Sequence, residues 1–61
     1  MDAQERANQI LKTEFDEEFP NLLEWFSDLI IATPVVDAWG DKWVVISRSD
    51  NDVVIAEYSV E

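Results

Sequence analysis

Glu14, Asp16, Glu17 and Glu18 lie within five positions of one another, and Glu24 and Asp28 follow soon after. Carboxylates are the only reactive groups this chain concentrates. It has no histidine and no cysteine, which removes imidazole and thiolate catalysis and the usual Cys/His zinc site. Ser27, Ser47, Ser49 and Ser59 are left without a base to activate them. A carboxylate pair can do acid–base work, but 61 residues leave little room for a closed pocket. With Gly40 as the single glycine, no glycine-rich phosphate loop is present. Asp50-Asn51-Asp52 has the look of a calcium-loop fragment, yet no glycine follows and no distal bidentate Glu completes it. A non-enzymatic protein without metal or cofactor is expected.

Polyanion recognition is the chemistry that remains. Glu14–Glu18 and Glu24–Asp28 are i,i+4 pairs, about 6 Å apart along a helix axis. That spacing is close to that of neighbouring phosphates on one nucleic-acid strand, where charge recurs about every 3.4 Å of rise. A groove of Lys and Arg built for a nucleic-acid backbone can therefore accept these side chains. The plainer reading is a solvated face that keeps a small protein soluble. Position weighs against it if the first helix continues to residue 18. Carboxylates at a helix C-terminus oppose its dipole by about 0.3–1 kcal/mol each. A like-charged i,i+4 pair adds about 0.2–0.5 kcal/mol. If the helix stops near Thr13 the penalty shrinks, because the acids then lead into the positive start of the next helix. The sequence leaves both open. The expected partner-binding residues are Glu14, Asp16, Glu17, Glu18, Glu24 and Asp28, extended by Asp50 and Asp52. Trp39, beside Gly40 at a turn, is expected to be an exposed aromatic anchor.

Composition sets the sign of the partner. Fourteen acidic residues against four basic ones give a net charge of −10, the wrong sign for free DNA or RNA and for an anionic membrane. Hydrophobic residues make up 48% of the chain, too many for a disordered polyelectrolyte. No apolar run approaches the ~20 residues of a membrane span, and the opening Met1-Asp2-Ala3-Gln4-Glu5 lacks the apolar stretch of a secretory leader. A cytoplasmic protein of one small acidic domain, residues 1–61, is expected. A domain this size buries only about 60% of its unfolded surface, so it depends on a dense core, on self-association, or on both.

The elements that position the acids read as follows. A helix over residues 2–18 is capped by Asp2 and striped by Ala3, Ala7, Ile10, Leu11 and Phe15. A second helix, from Pro20 to about Ile31, turns Leu22, Leu23, Phe26, Leu29 and Ile30 inward, and Thr33-Pro34 ends the helical half. Three strands follow: Val35–Trp39, Lys42–Arg48 and Val53–Val60. Gly40-Asp41 and residues 49–52 supply the turns, with Asn51 suited to a left-handed conformation. Connections this short make the strands antiparallel. The expected fold is α+β, with two N-terminal helices packed on a three-stranded antiparallel β-meander (ααβββ). Trp25, Phe26, Trp43 and Tyr58 are expected in the core. Either Trp43/Val45 or Val44/Ile46 can face the helices.

In size, charge and lack of catalytic groups the chain resembles in kind the small acidic nucleic-acid mimics of phages and mobile elements, which include anti-CRISPR, anti-restriction and glycosylase inhibitors. No motif assigns it to one of those families, and no functional residue carries over. The resemblance implies an inhibitor whose partner is a basic nucleic-acid-binding protein rather than nucleic acid itself. The alternative is an assembly module, a small homodimer or accessory subunit with a solubilising acidic face.

Overall fold

The computed structural model describes residues 2–60; Met1 and Glu61, the two ends of the expected 1–61 domain, lie outside it. Helix α1 covers residues 3–18 in three parts: α-helical over Ala3–Ile10, π-helical over Leu11–Phe15, and α-helical again over Asp16–Glu18. The Asp2 carboxylate accepts the Glu5 N–H at 2.7 Å, satisfying one of the orphan donors at the helix start. Phe19 (φ −132°, ψ 64°) makes a sharp corner into helix α2, Pro20–Phe26, where proline in the first turn loses no hydrogen bond. Strands β1 (Ile30–Val36), β2 (Lys42–Arg48) and β3 (Val54–Ser59) form one antiparallel sheet in the order β1-β2-β3. The fold is ααβββ, α+β.

The π-turn explains how a helix so rich in acid can pack on a sheet. Ala7 and Ile10 define the buried face of α1. At about 100° per residue, an uninterrupted α-helix would bring Glu14 and Glu18 back to that face and swing Phe15 and Phe19 to its side. In the structure the Asp16 N–H reaches the Leu11 carbonyl, five residues back. One turn thus holds one residue too many and retards the following residues by about 100°. Phe15 and Phe19 take the inward positions, and the carboxylates are turned out. The Thr13 hydroxyl donates to the Gln9 carbonyl at 2.7 Å, occupying an acceptor where the ladder slips. Phe15 is fully buried, and its ring lies 5.2 Å from that of Phe19.

The sheet presents Ile30 and Ala32 of β1 and Val44 and Ile46 of β2 to the helices, and these four join Ala7, Ile10 and Phe15 as the buried core. The choice between the two apolar faces of β2 therefore falls on Val44/Ile46. Leu22, Leu23 and Phe26 of α2 pack at the margin of this core. Cross-strand partners Ala32, Ile46 and Ala56 run in register across the three strands.

Several expectations are corrected. Helix α2 ends at Phe26, not near Ile31: the Leu29 N–H turns back to the Phe26 carbonyl at 2.9 Å. Ile30 and Ile31 enter the sheet, where β-branched side chains fit best. The first strand is accordingly Ile30–Val36 rather than Val35–Trp39, and Pro34 sits inside it. The bonds Ser49 N–H to Leu29 carbonyl (2.7 Å) and Asp37 N–H to Asp41 carbonyl (3.0 Å) fix the alternation of the ladder. Position 34 then points its backbone away from β2, on the outer border of an edge strand, where a missing N–H is harmless. Gln4 Nε2 donates to the Ala32 carbonyl on the same border at 3.0 Å. In the second turn the left-handed residue is Asp52 (φ 56°), not Asn51; the Asn51 side chain instead accepts the Val53 N–H at 3.1 Å. Trp25 is not core but 68% exposed.

Phe15→Ala should cost about 3–5 kcal/mol, most of the stability expected for so short a chain at roughly 0.05–0.15 kcal/mol per residue. Deletion of Thr13 should have far less effect, because it removes the surplus residue and lets α1 close as a regular α-helix with Phe15 and Phe19 still inward. Thermal melts followed by circular dichroism check both; a Thr13 deletion as damaging as Phe15→Ala would refute the packing argument.

Candidate acidic interaction surface

Helix α1 crosses the sheet from the β1 border, where Gln4 meets Ala32, to β3, where the Tyr58 hydroxyl donates to Glu18 Oε2 at 2.7 Å. The helix does continue to residue 18, so its acids oppose the dipole. Glu18 recovers part of that cost through its charge-assisted hydrogen bond. Burial raises the Tyr58 phenol; the bond it donates to Glu18 and the charges of Glu18 and Glu14 raise it further, from 10.0 to about 12. Glu14 and Glu18 thus share one site over the edge of β3. Asp16 is half-buried, and Glu17 is exposed.

A second group forms on α2. Leu22, Leu23 and Phe26 turn toward the core, which leaves Asn21, Glu24 and Trp25 outward, with Asp28 exposed in the turn that follows. Trp25 stands beside Glu24 and one turn before Asp28, an indole in water between two carboxylates. Reading the sequence as core placed it wrongly, although its four-residue spacing from Asn21 and near-turn spacing to Asp28 put it on the polar side of α2.

The remaining expected residues are divided between the two ends of the sheet. Asp50 grips Arg48 through two bonds, Nε to Oδ1 at 3.1 Å and Nη2 to Oδ2 at 2.7 Å, and the guanidinium lies 5.3 Å from the centre of the Phe26 ring. Arg48–Asp50 is the one ion pair among the described residues, so Asp50 offers a partner less charge than its neighbours do. Asp52 bends the turn. Asp28 is at this same end, because the Leu29 carbonyl accepts from Ser49.

Trp39 is at the opposite end, 86% exposed, separated from Asp50 by the length of a seven-residue strand, roughly 23 Å. It belongs to a different local structure, organised by Asp37. That carboxylate accepts from the Trp39 and Asp41 N–H groups, each at 2.9 Å, and from the Trp43 indole at 3.0 Å. Partial shielding from water raises its pKa, but the donors Asp41, Trp43, Trp39 and Gly40 outweigh it and hold the group below 3.8. The structure therefore brings together Glu14 with Glu18, and Glu24 with Asp28, and keeps Trp39 apart from both.

Among the described residues no polar or charged side chain is buried, and no group of three acids converges to hold a metal ion. Among the described residues no helix is long and apolar enough to cross a membrane. Compared with protein-family models, curated proteins and solved structures, the chain matches none. The arrangement can offer a partner dispersed, hydrated carboxylates around a large aromatic side chain.

Two titrations check this geometry. Glu18→Gln should bring the Tyr58 phenol down from about 12 toward its ordinary value, read from tyrosinate absorbance; an unchanged curve would mean that the Glu18 charge does not act on Tyr58. Because the folded pKa is raised, the associated stability is complete below pH 10.0 and disappears as pH rises through about 12. Asp37 behaves oppositely. Its folded pKa lies below 3.8, so its contribution is complete above that value and is lost as pH falls through the folded pKa. Acid should therefore loosen the β1–β2 turn, with Trp43 indole N–H shifts as the readout. Asp37→Ala should remove that acid step.

Proposed function

We propose that this chain is a cytoplasmic, non-enzymatic inhibitor that occupies the basic site of a nucleic-acid-handling protein, a polyanion decoy of the anti-CRISPR or anti-restriction kind. The observation that carries the reading is Trp25, largely exposed between Glu24 and Asp28 on a helical layer that also bears Glu14, Glu17 and Glu18. An arginine-rich groove supplies both things such a surface lacks. Guanidinium groups pair with carboxylates in short charge-assisted bonds, and they stack on indole faces for about 0.5–2 kcal/mol. The net charge of −10 steers the encounter at low salt and keeps nucleic acid itself away.

The uncovered side of the sheet, with Ile31 and Val35 exposed, favours a second reading in which the chain also assembles with another protein through apolar contact.

A panel of basic nucleic-acid-binding proteins, each carrying labelled duplex DNA, tests the first reading. One of them should release its DNA when this protein is added, with an affinity that falls steeply as sodium chloride rises. Glu17→Lys/Glu24→Lys should stay folded and lose the competition, and Trp25→Ala should weaken it by roughly tenfold. Competition that is indifferent to salt, or undiminished in the double charge reversal, refutes the decoy.

A further inference from the structure

The helices cover one side of the sheet only. On the other, Val35, Trp43 and Val45 line a shallow groove of about 230 Å³ with Asp37 and Glu57, and Ile31, 43% exposed, continues the apolar strip along β1. We propose that this face is a docking surface for an amphipathic helix of a partner protein, one whose aliphatic stripe is flanked by Lys and Arg.

Charge complementarity sets the flanks. By the alternation of the strands, the ionisable groups on this side are Asp37, Asp41 and Glu57, all acidic. Lys42 and Arg48 fall at positions of the opposite parity, and Arg6 and Lys12 are on α1. An apolar strip whose own face carries carboxylates, with Arg6 and Lys42 reaching only its Val35–Trp43 end from the helix side, is matched by an apolar strip bordered by cations. Asp37 is engaged with the β1–β2 turn, which leaves Asp41 and Glu57 to meet them.

Dimensions choose a helix over a second copy. Seven-residue strands are about 23 Å long, and three of them span about 14 Å. The area, roughly 320 Å², fits one helix of about 15 residues, close to 23 Å long and 10 Å wide. A stable protein pair buries about 800 Å² on each partner. A second copy would also set one net charge of −10 against another. The inference rests on the proposed function for the basic character of the partner, but it uses the side of the molecule away from Trp25 and the helical acids.

The probe is a synthetic Leu/Lys amphipathic helix of about 15 residues, compared with a scrambled peptide of the same composition at about 0.15 M salt. Backbone amide shifts of the isotopically labelled protein should move saturably within 31–35 and 43–47 and at Glu57. The scrambled peptide should bind about tenfold more weakly. Val45→Asp should weaken the ordered peptide by about tenfold; if that variant unfolds, Thr33→Lys/Ser47→Lys sets two cations among the three carboxylates of the face without touching the core and should do the same. Glu17→Lys/Glu24→Lys should leave the peptide's affinity unchanged within about twofold, so failure of the decoy reading does not imitate failure here. Equal binding of both peptides, shifts confined to α1 and α2, or a protein that sediments alone as a dimer with the 43–47 amides protected would each overturn the proposal.

Discussion

One surplus residue in the turn Leu11–Phe15 sets the orientation of everything beyond it. Without that π-turn, Glu14 and Glu18 would point at the sheet, and two carboxylates would have to be desolvated against Val44 and Ile46. With it, Phe15 and Phe19 fill the space, and the corner at Phe19 launches α2 from a fixed direction. A chain without cysteine or histidine has no disulfide and no Cys/His metal site to lean on. The apolar seam between α1 and the sheet has to hold the fold, and Phe15 is its largest buried member.

The same rotation distributes the charge. Acids that a regular helix would carry inward emerge on the outer surface and over β3, where Tyr58 holds Glu18. Cations do little to neutralise them, since Arg48 spends its guanidinium on Asp50 and on the ring of Phe26. The molecule consequently has a helical side that is anionic and punctuated by Trp25, and a sheet side that is apolar with an acidic margin. Two unlike surfaces on so small a body permit two unlike contacts at once.

Much of this architecture was legible in the residues. The Asp2 cap, the meander and strand β2 follow from short-range chemistry, and Gly40 (φ 84°) stands where the turn needs it. The border between α2 and β1 was not legible. Leu29 and Ile30 continue the helical spacing of Phe26, and only pairing with Arg48 and Ser49, remote in sequence, draws them into the sheet. Pro34 reads locally as a breaker and is tolerated because its strand is outermost. Of the candidate site, the carboxylates could be named in advance, but their grouping could not. The i,i+4 rule paired Glu14 with Glu18 on a regular helix, whereas a π-turn and Tyr58 bring them together. Trp25 was missed because a chain this small is expected to spend its aromatics on burial, and that expectation overrode a spacing that set it beside Asn21 and Asp28.

The border formed by Pro34 and Gln4 also has a consequence for crowded solutions. Stacking of strands into fibrils demands free backbone rows on two sides of every unit. Here the middle of the β1 row lacks one amide and has one carbonyl already taken, which leaves β3 the more open border. Strand-by-strand elongation through both borders of the sheet is therefore disfavoured.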